Sequence, residues 1–498
     1  MSDLRSWVKK FEAEGELRII EEPVDTELEI GHLAYLEMKK AGGGKALLFN
    51  NPVNRRLELK YNTPVIVNIF GSARRTEMIF ERPLDQIATQ MEELIKFKPP
   101  TTIAEKIKTF KTFWRFKSVP PKRVSGKGEC QEVKHDPIKI AEIMPILKTW
   151  SLDAGAFITM GQIYTHSLDG KSFNVGMYRL QLYPDGRLGM HWQIHKDSNS
   201  FFSEFQKAGQ KMPVSIAIGG DPLYTWCATA PMPHGMFELL LYGFVRGENA
   251  KLVKSLTNDL YVPHDADFII EGFVDPKALR IEGPFGDHTG YYTLEEEYPF
   301  LDITAITSKK HPIFAATVVG KPPIEDKYMG YATERLFLPL LKTTCPDLLD
   351  YRLPENGVFH NLVLCKIPNV YPAQASQMMH ALWGVGQMSF VKHAIFVGED
   401  APELKNDNAL FEYILKRLDF NRLLVSKGVA DALDHSGESF GEGGKLGVDA
   451  CGSVQDGSNL ERLSDEALLE KIRGIWREAR ALKQWGLNTP NPITVLAV

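Results

Sequence analysis

The sequence predicts a multidomain α/β protein with a strand-rich centre, and three observations carry that expectation. The chain has 498 residues, which at roughly 100–200 residues per domain makes two to four domains. Apolar residues make up 44% and charged residues 24%, globular proportions that exclude a disordered chain or a fibrous repeat. The apolar pattern also changes character twice along the chain, from mixed helix and strand, to short alternating runs, to a regular alternation of strand and helix.

The elements follow in order. Leu4, Trp7, Val8 and Phe11 repeat at helical spacing behind Ser2 and Asp3 and stop at Gly15, which predicts a capped amphipathic helix. Lys45–Asn50 and Pro64–Phe70 read as buried strands, and a helix is expected near Leu84–Phe97, ending at Lys98-Pro99-Pro100. These make an N-terminal α/β domain over 1–115. The basic, proline-containing stretch Thr109–Lys127 reads as a solvated connector. Over 116–318 the strands come in short runs: Phe157–Tyr164, Phe173–Leu182, Val214–Ile218, Phe268–Val274 and Phe300–Ile306. A sheet closing into a split β-barrel would cover their edges.

Beyond Gly320, helical stretches (Thr333–Lys342, Ala373–Leu382, Glu403–Leu418) alternate with strands (Leu362–Ile367, Ala394–Val397, Arg422–Val425), which predicts a C-terminal α/β domain over 319–460. The last segment, 461–498, reads as a helix capped by Ser464, with Leu468, Ile472, Ile475, Trp476, Ala479 and Leu482 on one face. That face would pack on its own domain or serve as an oligomerisation element.

The formal net charge is 58 − 63 = −5, so no basic field exists for a nucleic acid backbone. Apolar runs such as Phe237–Val245 fall far short of the ~20 residues of a membrane span. Asp3, Arg5, Lys9 and Lys10 stand where a signal peptide would be apolar. The five cysteines are Cys130, Cys227, Cys345, Cys365 and Cys451, with no CxxC pair, as expected in a reducing interior. A cytoplasmic location is expected, with at most a peripheral contact at the inner membrane.

Familiar signatures fail. Gly384-Val385-Gly386-Gln387-Met388-Ser389 lacks the third glycine of a dinucleotide fingerprint, and Gly443-Gly444-Lys445-Leu446 has Leu where a phosphate loop needs Ser or Thr. No HExxH occurs. What remains is Glu282-Gly283-Pro284-Phe285-Gly286-Asp287-His288-Thr289-Gly290-Tyr291-Tyr292. Two carboxylates separated by Gly-Pro-Phe-Gly cannot lie on a regular helix, so both sit on a tight loop at the edge of a strand. Such a loop is either a solvated turn or a device that aims two acids into one cavity, where burial would raise a carboxyl pKa into general-acid range.

This loop resembles the hallmark of the UbiD-type decarboxylases, E-G-P-[FY]-G-[DE]-x-x-G-[YH]. Two further segments are similar to family motifs: Asn174-Val175-Gly176-Met177-Tyr178-Arg179, and Pro231-Met232-Pro233-His234-Gly235-Met236-Phe237-Glu238. The resemblance spans nearly the whole chain, and Asp287 with His288-Thr289-Gly290 resembles the bacterial polyprenyl-hydroxybenzoate branch, since cinnamate-type fungal enzymes carry Glu there.

The resemblance implies a non-oxidative aromatic acid decarboxylase using prenylated FMN, with Mn²⁺ or Mg²⁺ bridging the cofactor phosphate and K⁺ as a further candidate cation. It implies Asn174, His195 and Glu238 as metal ligands, with His191 an alternative to His195. Met177, Tyr178 and Arg179 would lie against the isoalloxazine, and His191, Trp192 and Gln193 would line it. Lys196, Asp197 and Pro231 are further implied cofactor contacts, and Lys392 would reach the phosphate. Arg179, Glu282 and Asp287 would be catalytic, Arg179 orienting the substrate carboxylate and Asp287 donating the proton, for which a raised pKa is expected.

The implied substrate is 3-polyprenyl-4-hydroxybenzoate on the way to ubiquinone. Alternatives are a naphthoate-type acid of a menaquinone route or a phenolic acid acted on reversibly. Implied partners are a flavin prenyltransferase as cofactor supplier and further copies of the chain, in a dimer or hexamer. From other classes, a non-catalytic flavin-binding protein and a plain FMN oxidoreductase stay open.

Overall fold

The computed structural model describes residues 3–96, 116–192, 197–434, 436–437, 439–456 and 462–498. Gln193, His195, Lys196 and the first part of the Thr109–Lys127 connector lie outside the described residues. The chain divides into two compact units, Met1–Leu336 and Phe337–Val498.

The first unit opens with α1 (Leu4–Ala13), whose Leu4, Trp7, Val8 and Phe11 are buried and whose N-terminus is capped by the Asp3 carboxylate accepting from Ser6 N. That bond satisfies one of the amides that the first helical turn leaves without a partner. Strands β1 (Leu17–Ile20), β2 (Ala46–Phe49) and β3 (Val65–Val67) form a sheet completed by the two-residue strand Phe314–Ala315, which pairs parallel with β3. Helix α2 spans Leu84–Ile95. Part of the expected connector is structured: Lys122–Arg123 pair in parallel with Lys251–Leu252.

The central sheet has seven strands. These are β4 (Val133–His135), β5 (Gln162–His166), β6 (Phe173–Met177), β7 (Leu188–Gly189), β8 (Met212–Ile218), β9 (Phe268–Glu282) and β10 (Glu296–Ser308). The order is β6-β5-β8-β9-β10-β7, with β4 also on β10, and every pairing is antiparallel. This path is open among the described residues, where the sequence suggested closure into a barrel. Both long strands are bent by register shifts between Glu271 and Gly272 and between Val274 and Leu279, bulges that increase local twist and cover edges without closing a ring. All seven residues of β8 are buried, the pattern of a strand covered on both faces. Helices α3 (Asp197–Ala208) and α4 (Leu239–Arg246) belong to the same unit, and α5 (Glu325–Thr344) leads out of it.

The second unit carries a mixed sheet of β11 (Asp350–Arg352), β12 (Leu362–Ile367), β13 (His393–Gly398), β14 (Leu423–Val429) and β15 (Glu442–Ala450), ordered β11-β12-β13-β15-β14. The pairs β12/β13 and β13/β15 are parallel, as strand–helix alternation requires. Helices α6 (Gln374–Trp383) and α7 (Asp407–Arg417) are the intervening helices.

The C-terminal segment corrects the sequence expectation. Helix α8 (Asp465–Arg473), capped by Ser464 as expected, ends at Gly474, and none of its residues is buried. Ala481–Trp485 (β16) and Ile493–Ala497 (β17) then form an antiparallel hairpin. Leu482 therefore lies on a strand, and Ile475 is 89% exposed. Glycine ends the helix, and the β-branched run Ile493-Thr494-Val495 after a Gly/Asn/Pro-rich turn favours strands.

Candidate active site

The long strand β9 ends at Glu282, and the loop after it is held rather than free. Gly283 N donates to Gln181 Oε1 at 2.9 Å, Gly286 N donates to Asp153 Oδ1 at 2.8 Å, and Thr293 N donates to Phe285 O at 2.9 Å. Gly283 has φ +93°, a conformation that costs a side-chain-bearing residue energy. At Gly286 the reason is space: a Cβ there would sit 2.2 Å from Trp150 Cδ1. Trp150 is itself tied by its indole N–H to Val319 O at 2.7 Å and by its backbone N–H to Asp153 Oδ2 at 2.8 Å.

Arg179 follows β6 and enters this loop from the other side. Its Nε donates to Glu282 Oε1 and its Nη1 to Asp287 Oδ2, both at 2.6 Å, and Nη2 donates to Thr293 Oγ1 at 3.3 Å. The guanidinium also lies 4.9 Å over the Phe285 ring. All three charged side chains are buried, at 9% exposure for Arg179, 0% for Glu282 and 6% for Asp287. His191 Nδ1 donates to the other Glu282 oxygen at 2.9 Å, and the His191 ring packs against Tyr298 at 4.3 Å. On the Asp287 side, His288 donates twice to Oδ1, from its backbone N at 2.6 Å and from Nδ1 at 2.7 Å.

These partners reverse the expected titration of Asp287. Burial pushes its carboxyl up, but the His288 bond and charge and the Arg179 charge outweigh burial and hold it well below the usual carboxylate range. The sequence expectation of a raised pKa is therefore corrected: Asp287 is ionised in this arrangement. Glu282 is likewise lowered, burial being offset by His191 and Arg179.

A second cluster joins Asn174 on β6 to Glu238, the residue preceding α4. Asn174 Nδ2 donates to Glu238 Oε1 at 2.8 Å, Val175 N donates to Glu238 Oε2 at 2.8 Å, and Ser198 Oγ donates to Asn174 Oδ1 at 2.6 Å. Burial pushes the Glu238 carboxyl up to about 7. Among the described residues no group of three or more His, Cys, Asp or Glu gathers as a metal site. A buried amide oxygen and a buried carboxylate are nonetheless a hard pair of the kind that binds a divalent ion with phosphate, and His195 falls outside the described residues. A cavity of about 160 Å³ reaches Asn174, and Arg123, Phe173, Phe237 and Tyr261 are among its walls.

The other implied contacts are placed as follows. Tyr178 and Trp192 meet edge to face at 6.0 Å, and Trp192 stacks on Phe202 at 5.9 Å. The Trp192 indole N–H is buried without a hydrogen-bond partner among the described residues, an open donor of the kind a bound polar group would satisfy. Met177 N donates to Ala228 O at 3.0 Å. Asp197 accepts from His234 Nδ1 at 2.7 Å and from Gly235 N at 3.1 Å, which ties the start of α3 to the turn after the half-buried Pro231. Lys392 belongs to the second unit, where its ammonium pairs with Asp434 at 2.6 Å. Sequence reasoning missed His288, Thr293 and Asp153 as loop partners. Only the adjacency of His288 to Asp287 was visible in advance.

Comparison with known proteins agrees with this architecture. Residues 122–322 match the 3-octaprenyl-4-hydroxybenzoate carboxy-lyase Rift-related domain, 327–450 its C-terminal domain and 8–95 its N-terminal domain. The chain therefore has the three-part architecture of a carboxy-lyase. It belongs to the UbiD family. An uncharacterized protein of Helicobacter pylori strain J99 is 51% identical over 99% of this chain and 80% of its own length. Three solved structures, each 23% identical, share the fold. Vanillic acid decarboxylase of Sedimentibacter hydroxybenzoicus, in closed form, has a TM-score of 0.79 and covers 95% of this chain and 99% of its own. The UbiD-class enzyme HmfF of Pelotomaculum thermopropionicum, in complex with FMN, has a TM-score of 0.76 and covers 93% and 97%. An evolved dimeric form of HmfF is in complex with prenylated FMN, with a TM-score of 0.74 over 93% and 97%.

Proposed function

We propose that the protein is a prenylated-FMN-dependent, non-oxidative decarboxylase of an aromatic carboxylic acid, with 3-polyprenyl-4-hydroxybenzoate as the leading substrate. The observation that carries this reading is the buried Arg179 held between Glu282 and Asp287. A guanidinium fixed on one side by a carboxylate keeps donors for an incoming carboxylate, and a second carboxyl beside it can supply a proton. The phenolic acid alternative is favoured by the fold shared with the vanillic acid decarboxylase.

When bound, the cofactor supplies the electron sink that no side chain provides. Asn174 and Glu238, with His195, would hold its metal, and Trp192 would offer it an indole N–H. The chain's own residues do the rest. Glu282, fixed by His191, orients Arg179. A substrate carboxylate that takes Arg179 Nη1 competes with Asp287 for it. Losing that cation lifts the Asp287 carboxyl back toward protonation, so acid binding itself prepares the proton donor. As CO₂ departs, Asp287 delivers the proton to the carbon left behind.

No helix among the described residues is long and apolar enough to cross a membrane. We place the protein in the cytoplasm, with at most peripheral contact at the inner membrane. It would act as a homo-oligomer supplied by a flavin prenyltransferase, with Mn²⁺ or Mg²⁺, and K⁺ where a second cation binds. The test is a mass spectrum of small molecules released from protein co-expressed with a flavin prenyltransferase, followed by CO₂ release from a panel of aromatic acids. Near-stoichiometric prenylated FMN and acid-dependent CO₂ are expected, and the absence of any flavin would refute the reading.

A further inference from the structure

Asp287 is buried and ionised, yet a decarboxylase consumes one proton per turnover at this position, so the proton must be replaced by a route that reaches water. The described residues around it contain one group suited to this. His288 has 20% side-chain exposure against 6% for Asp287, and its Nδ1 lies 2.7 Å from Asp287 Oδ1. Asp326, in the first turn of α5, has an Oδ1 that is shut off from solvent and without a hydrogen-bond partner among the described residues. Burial pushes the Asp326 carboxyl up to about 7, and the His288 charge is the leading influence that draws it down again. Other charges nearby are Arg179 on Asp287, Glu325 and Lys39 acting on Asp326, and Lys321, whose Cβ lies 3.0 Å from where a Cβ on Gly290 of the same loop would stand.

We propose that His288 is a proton relay that recharges Asp287 from solvent. This rests on the decarboxylase reading. In the step, the bond between the substrate carbon and its carboxylate breaks, and the electron pair stays on carbon. The proton on Asp287 then bonds to that carbon, leaving Asp287 as carboxylate. His288 Nδ1–H passes its proton to Asp287 Oδ1, and the ring, one-fifth exposed, is reprotonated from solvent. The sum is one carboxylate and one proton consumed for one CO₂ and one C–H bond formed. His288 acts through Asp287 and touches no reacting carbon.

The test is His288→Gln in the full-length chain loaded with prenylated FMN, with vanillate and 4-hydroxybenzoate as probes. We expect kcat to fall by about 10²–10⁴, with KM and flavin occupancy unchanged and at least about tenfold recovery in added imidazole. Turnover within about threefold of wild type, or a loss that imidazole does not restore, would overturn the relay. A second readout needs no turnover. In ¹⁵N-histidine-labelled protein, the His288 ring, assigned by its disappearance in His288→Gln, should titrate at lower pH in Asp287→Asn, because the carboxylate that favours the charged ring is gone. An unchanged titration overturns the relay alone. A coupled ring in wild-type protein that releases no CO₂ from any aromatic acid overturns the decarboxylase reading, and the relay with it.

Discussion

Replacing Arg179 by Met gives the sharpest test of the charge arrangement, because it leaves Glu282 and Asp287 buried without their shared cation. Breaking a buried pair from one side costs about 3–5 kcal/mol when the orphaned charge must stay ionised. Protonation offers an escape. Neutralising Glu282, whose ordinary pKa is 4.5, costs about 1.4 kcal/mol for each pH unit above that value, hence roughly 3 kcal/mol at pH 7 and under about 1 kcal/mol at pH 5.

The deficit of Arg179→Met should therefore shrink as pH falls from 7 to 5. In the variant the folded state binds more protons than the unfolded chain over this range, so its stability declines as pH rises. Wild type behaves oppositely. Both carboxyls are held below their ordinary values, so their contribution is complete above about pH 5 and is lost only as pH falls through the ordinary carboxylate range and below. For a unit of 336 residues, 3 kcal/mol corresponds to about 4–5 °C in Tm. Calorimetric melts of both proteins at pH 5, 6 and 7 measure the gap. A variant as stable as wild type at pH 7, or a gap that does not change with pH, would refute the argument, and neither outcome depends on which acid is the substrate.

Asp287→Asn should retain bound prenylated FMN while losing CO₂ release; loss of the flavin, measured by its absorbance after gel filtration, would assign Asp287 to cofactor binding instead. Glu238→Ala removes the acceptor of the Asn174 and Val175 bonds and should lower metal content, by elemental analysis, together with flavin content. Gly286→Ala places a methyl 2.2 Å from Trp150 Cδ1, so the loop or the indole must shift; we expect a loss of about 1–3 kcal/mol in thermal or denaturant stability and a fall in turnover. The same substitution at Gly441, where a Cβ meets nothing within 4 Å but φ is +70°, serves as a control for backbone strain alone.

The parts of the structure that local sequence encodes were legible. The α1 face, the buried strands β2 and β3, and the alternation in the second unit rest on periodicity, and the loop after Glu282 rests on Gly and Pro chemistry. The C-terminal hairpin was misread because six apolar residues from Leu468 to Leu482 happened to fit a helical period across Gly474. Local pattern weighs a glycine less than the pairing partner, Ile493–Ala497, that decides the matter.

The contact of Arg179 with Glu282 spans 103 positions, and no local rule reaches that far; family motifs named the residues, while their geometry came from the fold. Protonation was the least legible property. Burial alone predicts a raised Asp287 pKa, and the sign is reversed by two partners, one adjacent and one 108 positions away. A sequence can thus identify an acid without revealing whether it holds its proton. For Asp287 that distinction has a mechanistic consequence: an acid ionised at rest can serve as donor only if the substrate draws Arg179 away and another group, which we assign as His288, returns the proton.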